Sequence, residues 1–230
     1  KFNQNFTSEN TSHYIANYQS VKQGQIFRIE AYYKDYNNLV KFDGNQPNFT
    51  SNYNNNGKGY AKGVDVFWRQ NGKIKNTDYW VSYSYLDTKR DYRNYPTTAT
   101  PNFAAKHNLS VVGKHWIEKW KSQVGISYTF ASGRNYTNPN EVGFLNNKTK
   151  SYNSVSLNWA YLLDQQKILY FSVNNALGTK NVFGYNYKNT ADINGNFDRQ
   201  AIIPSADTFF FVGFFWTLSD DNKTNQLDNL

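Results

Sequence analysis

The chain has no cysteine and no methionine among its 230 residues. Disulfides, thiolate metal centres and thiol nucleophiles are therefore excluded. The compartment stays open, because a cystine-free chain suits the cytosol and an outer membrane alike. Charged residues are scarce at 18%, and no apolar run comes near the roughly 20 residues that a membrane helix needs. A membrane could be crossed only by strands. Aromatic residues fill the gap, with 19 Tyr, 17 Phe and 6 Trp. Soluble domains draw their cores mainly from Leu, Ile and Val, whereas Tyr and Trp, each with an apolar body and a polar tip, suit a boundary between hydrocarbon and water. The first residue is Lys1 rather than Met, which reads as a signal peptide or longer segment upstream. The net charge of +8 is spread singly through the chain, with no arginine-rich helix, zinc spacing or recognition helix, so nucleic acid is not expected as a partner.

Alternation with a period of two predicts about nine strands, over 10–21, 25–39, 59–71, 76–88, 105–117, 121–132, 151–162, 167–176 and 206–218. Phe27, Ile29, Ala31 and Tyr33 share one face of the second strand, opposite Arg28, Glu30, Tyr32 and Lys34. The same parity sets Tyr79, Val81, Tyr83 and Tyr85 against Ser82 and Ser84, and Val155, Leu157, Trp159 and Tyr161 against Ser154, Ser156 and Asn158.

A soluble sandwich would alternate too, so the connections carry the argument. They are short at 21–24, 71–75, 118–121 and 164–167, and long at 40–58, 89–104, 133–150 and 177–205. Short turns on one rim and long loops on the other are the plan of an outer-membrane barrel. The strands, at about 10–15 residues, are also longer than the usual 5–6. Trp68, Trp80, Trp116, Trp120, Trp159 and Trp216 all fall near the short-turn rim, where an interfacial girdle is expected. The last strand, Thr208–Leu218, is apolar on both faces and demands a closed sheet. Its Gly213, Trp216 and Leu218 have the spacing of a C-terminal barrel-assembly signal, though Phe211 stands where a polar residue is usual. The expected organisation is a barrel segment over 1–218 and a polar tail over 219–230.

The stretches 13–18 (HYIANY), 27–34 (FRIEAYYK), 59–65 (GYAKGVD), 83–87 (YSYLD), 101–109 (PNFAAKHNL) and 173–178 (VNNALG) cover nearly the whole chain. In order and spacing they resemble the C-terminal barrel of TonB-dependent receptors, in particular the large forms with a carboxypeptidase-regulatory-like N-terminal domain. The resemblance implies an all-β, transmembrane, antiparallel up-and-down barrel of about 22 strands, plugged by an N-terminal domain and driven by TonB. About nine strands cannot close alone in the even-numbered bacterial way, so about 13 further strands and the plug are expected from the same or another polypeptide. The implied partners are outer-membrane lipid, those missing parts, TonB through them, and a surface lipoprotein. The implied role is uptake of a nutrient such as an iron chelate, oligosaccharide or peptide. Two other readings stand beside it: a scaffold barrel in a multiprotein outer-membrane complex, and a small independent barrel of about 8 or 10 strands.

Enzyme chemistry finds little footing. His13, His107 and His115 lie far apart, with no metalloprotease, triad or phosphate-loop pattern. Asp87, Asp91, Asp192 and Asp198 lack the spacing of a calcium loop, and no cofactor is expected. Arg28, Glu30, Asp65 and Arg69 alternate inward as lumen charges. The candidate contact residues are in the long loops: Tyr92, Arg93, Tyr95, Arg134, Tyr136, Phe144, Tyr185, Tyr187, Phe197 and Arg199. They combine flat aromatic area with charge, the chemistry favoured at contact anchors, and the same side chains equally suit loops packed on themselves. The sequons at Asn48 and Asn147 read as chance matches in Asn-rich loops.

Overall fold

A computed structural model describes residues 6–44 and 51–218; the tail over 219–230 and the sequon at Asn48 lie outside these. Among the described residues nine strands form one antiparallel sheet: β1 (Asn10–Lys22), β2 (Gln25–Phe42), β3 (Tyr53–Asn71), β4 (Thr77–Asp91), β5 (His107–Ile117), β6 (Ser122–Ala131), β9 (Tyr152–Asp164), β10 (Lys167–Asn174) and β13 (Phe209–Trp216). Each pairs with its predecessor and successor in this series, so the sheet is a simple meander, open at its β1 and β13 edges. The long connections carry two small hairpins, β7 (Asn135–Tyr136) with β8 (Asn147–Lys148) and β11 (Gly184–Tyr187) with β12 (Arg199–Ile202). The connection from β5 to β6 is a 3-10 turn over Glu118–Trp120.

Register carries the parity of each strand across the whole wall. Tyr18, Ile29, Val66, Tyr83, Leu109 and Phe130 form one continuous row, and Ile126, Leu157, Val173 and Phe210 form another on the same face. The opposite face holds rows such as Asn17, Glu30, Asp65, Ser84 and Asn108. No described residue covers the apolar face. Ile126 is 52% exposed, Leu157 44% and Val212 66%, whereas the few buried apolar side chains are small or sit toward one or other end of the wall. Fully burying one such side chain stabilises by about 1.5–3 kcal/mol. A wall that leaves rows of them uncovered gains this energy only from hydrocarbon.

Glycines on the polar face admit large rings from the neighbouring strand. Tyr32 lies over Gly63, its register partner. Tyr170 stands opposite Gly213 and packs against Phe211 and Phe215, with ring centroids at 6.1 and 6.3 Å. Such cross-strand filling of glycine gaps pins register in a sheet that has no second layer.

The structure departs from the expected boundaries in the first long loop. β2 continues to Phe42 and β3 begins at Tyr53, so the wall rises above the expected 40–58 connection. Pairing survives there through irregularities, with Asn38 in the left-handed region (φ 58) and a register shift before Leu39 meets Gly57. Asn38 is a residue type that tolerates this conformation.

Candidate functional site

On the polar face, the charges expected to point inward do so, and they behave differently from one another. Arg69 makes a two-pronged bond to Asp78, with Nε at 2.9 Å and Nη2 at 2.6 Å. Arg28 lies over the Phe67 ring at 5.9 Å. Glu30 and Asp65 face each other in register, and neither makes an ion pair among the described residues. At this height the polar face presents two carboxylates, with the nearby guanidinium groups held by rings and by Asp78.

At the other end of the wall the long loops are tied into one canopy. The β2 end and the loop after β4 exchange backbone hydrogen bonds, Arg93 N to Val40 O at 2.7 Å and Phe42 N to Arg93 O at 3.1 Å. Lys41 pairs with Asp91 at 2.5 Å. The loop after β6 is locked to the loop before β13 by a reciprocal pair: Asn140 donates to the Phe197 carbonyl at 3.0 Å, and Phe197 N donates to Asn140 Oδ1 at 2.7 Å.

The candidate loop residues fall into two aromatic groups. Tyr92, Tyr95 and Phe144 pack edge to face, at 4.8 Å and 4.7 Å between centroids, and Arg93 lies over Tyr92 at 5.2 Å. Tyr136, Tyr185 and Tyr187 form the second, at 4.8 and 6.5 Å, with Arg199 over Tyr185 at 4.4 Å. Phe197 contributes its backbone to the Asn140 lock. Arg134 is exposed and shares its backbone with Thr149. The rings are thus half-buried in one another, while Arg93, Arg134 and Arg199 present charge outward. Sequence reasoning missed Arg90, which sits over Tyr36 at 4.1 Å with Tyr92 and Phe103 at 5.7 Å, and whose Nε is buried without a partner. Arg90 falls in the expected 89–104 connection, whereas β4 runs on to Asp91 and takes it into the wall; the aromatic density on both sides was the available signal.

These contacts shift the loop groups. Burial, then the charge and hydrogen bond of Tyr92, push the Tyr95 phenol up to about 12. Burial first, and Tyr136 beside it, raise Tyr187. The hydrogen bond from Arg199 to Tyr136 raises Arg199 further. Both phenols stay neutral, so at neutral pH the canopy offers hydroxyl groups and guanidinium charge rather than phenolates.

The carboxylates considered for calcium are otherwise engaged. Asp87 sits 3.5 Å from Lys62, Asp198 pairs with Lys188 at 2.6 Å, and Asp192 accepts the backbone N–H groups of Asn194 and Asn196 at 2.8 Å. His107 Nδ1 lies 2.8 Å from Tyr83 Oη and His115 Nδ1 2.8 Å from Thr77 Oγ1, while His13 stands on edge strand β1 opposite Lys34.

The six tryptophans all lie toward the short-turn rim but do not share a face. Trp68, Trp159 and Trp216 stand on the apolar face with Phe27, Phe171 and Lys167 as register partners. Trp80 and Trp116 turn to the polar face, Trp80 beneath Arg69 at 5.9 Å and Trp116 against the buried Ala160, Leu162 and Ile168. Trp120 projects from the 3-10 turn and is 61% exposed. Of the expected assembly residues, Gly213 and Trp216 lie in β13, and Leu218 follows it, exposed.

An uncovered apolar belt, a polar opposite face, tight turns at one rim and a loop canopy at the other define the wall of an outer-membrane β-barrel. Residues 2–176 match the family model described as TonB dependent receptor-like, beta-barrel. The chain belongs to the TonB-dependent receptor β-barrel family, whose barrels stand in the bacterial outer membrane. Solved structures agree on the fold. The ferric-catecholate import receptor Fiu of Escherichia coli K12 is 13% identical, with a TM-score of 0.60 over 90% of this chain and 27% of its own. The pyoverdine outer-membrane receptor FpvA of Pseudomonas aeruginosa PAO1 is 12% identical, with a TM-score of 0.66 over 91% of this chain and 30% of its own. The FrpB iron transporter of Neisseria meningitidis is 9% identical, with a TM-score of 0.65 over 92% and 31%. The chain therefore spans about a third of the length of these structures. No curated protein matches it significantly.

Proposed function

We propose that this chain is the C-terminal wall of a receptor that imports a nutrient through a plugged barrel under TonB control. The observation that supports this reading is the two-faced wall in a chain of this family: a hydrated face over Arg28, Glu30, Asp65 and Arg69, backed by a belt for lipid. In this reading the hydrated face packs on a plug supplied with the remaining strands, and TonB engages that part. The canopy of Tyr92, Arg93, Tyr95, Arg134, Tyr136, Phe144, Tyr185, Tyr187, Phe197 and Arg199 is the contact surface for cargo, or for a surface lipoprotein that delivers it. Its exposed guanidinium groups beside phenols suit an anionic or hydroxyl-rich cargo such as an iron chelate or oligosaccharide.

The test uses cells that produce the complete receptor. Uptake of radiolabelled candidate cargo is expected to vanish when TonB is deleted, and to weaken several-fold in Arg199→Gln and Tyr185→Ala with the barrel still folded. Uptake indifferent to TonB would overturn the transport reading. Stoichiometric purification with other barrels, with growth unaffected on every candidate nutrient, would favour a scaffold role instead.

A further inference from the structure

At the short-turn rim, the turn over Glu118–Trp120 places two lysines beside the lipid-facing belt. Its carboxylate is committed away from them: Glu118 pairs with Lys75 at 3.2 Å and accepts from Asn76 at 2.9 Å. Lys119 and Lys121 make no ion pair among the described residues. Lys121 is held in the left-handed region at φ 45, with its N–H bonded back to the Glu118 carbonyl at 3.1 Å. Non-glycine residues occupy that region at a cost. The turn thus accepts strain at the residue that brings the second charge to this place.

Both lysines line a hollow of about 480 Å³, together with Trp120, Ser122, Trp159 and Tyr161. The Ser122 hydroxyl is consumed by the Trp120 carbonyl at 2.8 Å. The Trp159 and Tyr161 rings lie nearly parallel, 5.9 Å apart and 22° between planes, and both belong to the apolar face through their partners Phe171 and Leu169. The hollow therefore has a cationic lip at the level of the turn and an aromatic floor that runs straight into the belt. The acids of this turn and of the next are paired, Glu118 with Lys75 and Asp164 with Lys167 at 2.7 Å.

We propose that this hollow binds the phosphate headgroup of an anionic phospholipid in the leaflet at the short-turn rim, its acyl chains continuing along the belt. Three features select this occupant. The lip is positive and has no acidic partner among the described residues, so a phosphate completes it. The floor is continuous with the surface that meets hydrocarbon. The exposed Trp120 ring stands where headgroup and chain meet, the level favoured by amphipathic aromatics. The site serves anchoring and is independent of which cargo the barrel carries.

The complete receptor, purified in mild detergent, is incubated with phosphatidylglycerol, phosphatidylcholine or inorganic phosphate and examined by native mass spectrometry. Phosphatidylglycerol is expected to be retained over phosphatidylcholine, with retention falling roughly fivefold for each lysine removed in Lys119→Gln and Lys121→Gln. Lys73→Gln, in a different turn, is expected to change nothing. Heat-modifiable gel migration confirms that each variant is folded, and Trp120→Ala tests the site without altering charge, with weaker retention expected. Equal retention of both lipids, or retention unchanged in the double lysine variant, overturns the proposal. So does inorganic phosphate binding as tightly as the lipid, which assigns a soluble-anion site.

Discussion

Leu157 and Ser127 are diagonal neighbours on opposite faces of the wall, since Ser127 pairs with Ser156. Seven residues separate Leu157 from the end of β9 at Asp164. At about 3.3 Å per residue and a tilt near 45°, that is roughly 16 Å along the membrane normal, close to the middle of a hydrocarbon core about 30 Å thick. Leu157→Arg should therefore cost about 2–4 kcal/mol, the penalty of a lipid-facing arginine at mid-depth. In folding equilibrium this is roughly 30- to 900-fold. Ser127→Arg places the same side chain toward a hydrated face and should stay within about 1 kcal/mol. Guanidinium titrations of the complete barrel in phospholipid vesicles, read by tryptophan fluorescence, measure both. Equal costs for the two variants, or a greater cost for Ser127→Arg, would refute the assignment of faces.

Gly63→Ala should destabilise the barrel by about 3 kcal/mol or block assembly, because its Cβ would run into the Tyr85 carbonyl and the Tyr32 ring. Gly113→Ala meets only Ile126 Cγ2 at 3.7 Å and should be tolerated, as heat-modifiable migration of both variants would show. Tyr95→Ala removes the ring between Tyr92 and Phe144, worth about 0.5–1.5 kcal/mol per ring pair beyond its buried area. Faster proteolysis in the loops over 92–106 and 132–151, with the strands intact, is the expected readout. Tyr95 should remain un-ionised until about pH 12 in ultraviolet titration. Because its folded value exceeds the unfolded one near 10, its contribution is complete below pH 10 and is lost as pH rises toward 12. Ionisation at pH 10 in the folded protein would remove the buried-ring account.

The wall was legible because each strand repeats one parity, and lipid rewards that parity at every row. Tyr79 and Val81 on the outer face already send Trp80 inward, and the alternation through Leu109 and Val111 does the same to Trp116. Proximity to the rim was readable; a girdle of all six tryptophans ignored that rule. The early start of β3 was hidden by Asn54, Asn55 and Asn56, residues poor in strand propensity; Asn54 pairs with Lys41, while Asn55 and Asn56 fall in the irregular stretch beside Gly57. The hairpins β7–β8 and β11–β12 are too short for any period to register. Loop chemistry was readable as composition, but its partners were not. Nothing local tells Asn140 that it will meet Phe197, or Tyr95 that it will meet Phe144, since both contacts depend on how the canopy closes.

The chain's lack of cysteine makes one measurement direct. Single cysteines placed from Val155 to Tyr161 in the complete barrel, reconstituted in phospholipid and spin-labelled, report accessibility to oxygen from the lipid and to a water-soluble nickel complex. Labels at 155, 157, 159 and 161 should respond to oxygen and those at 156 and 158 to nickel. Uniform water accessibility, or no alternation along β9, would contradict a wall with one face in hydrocarbon.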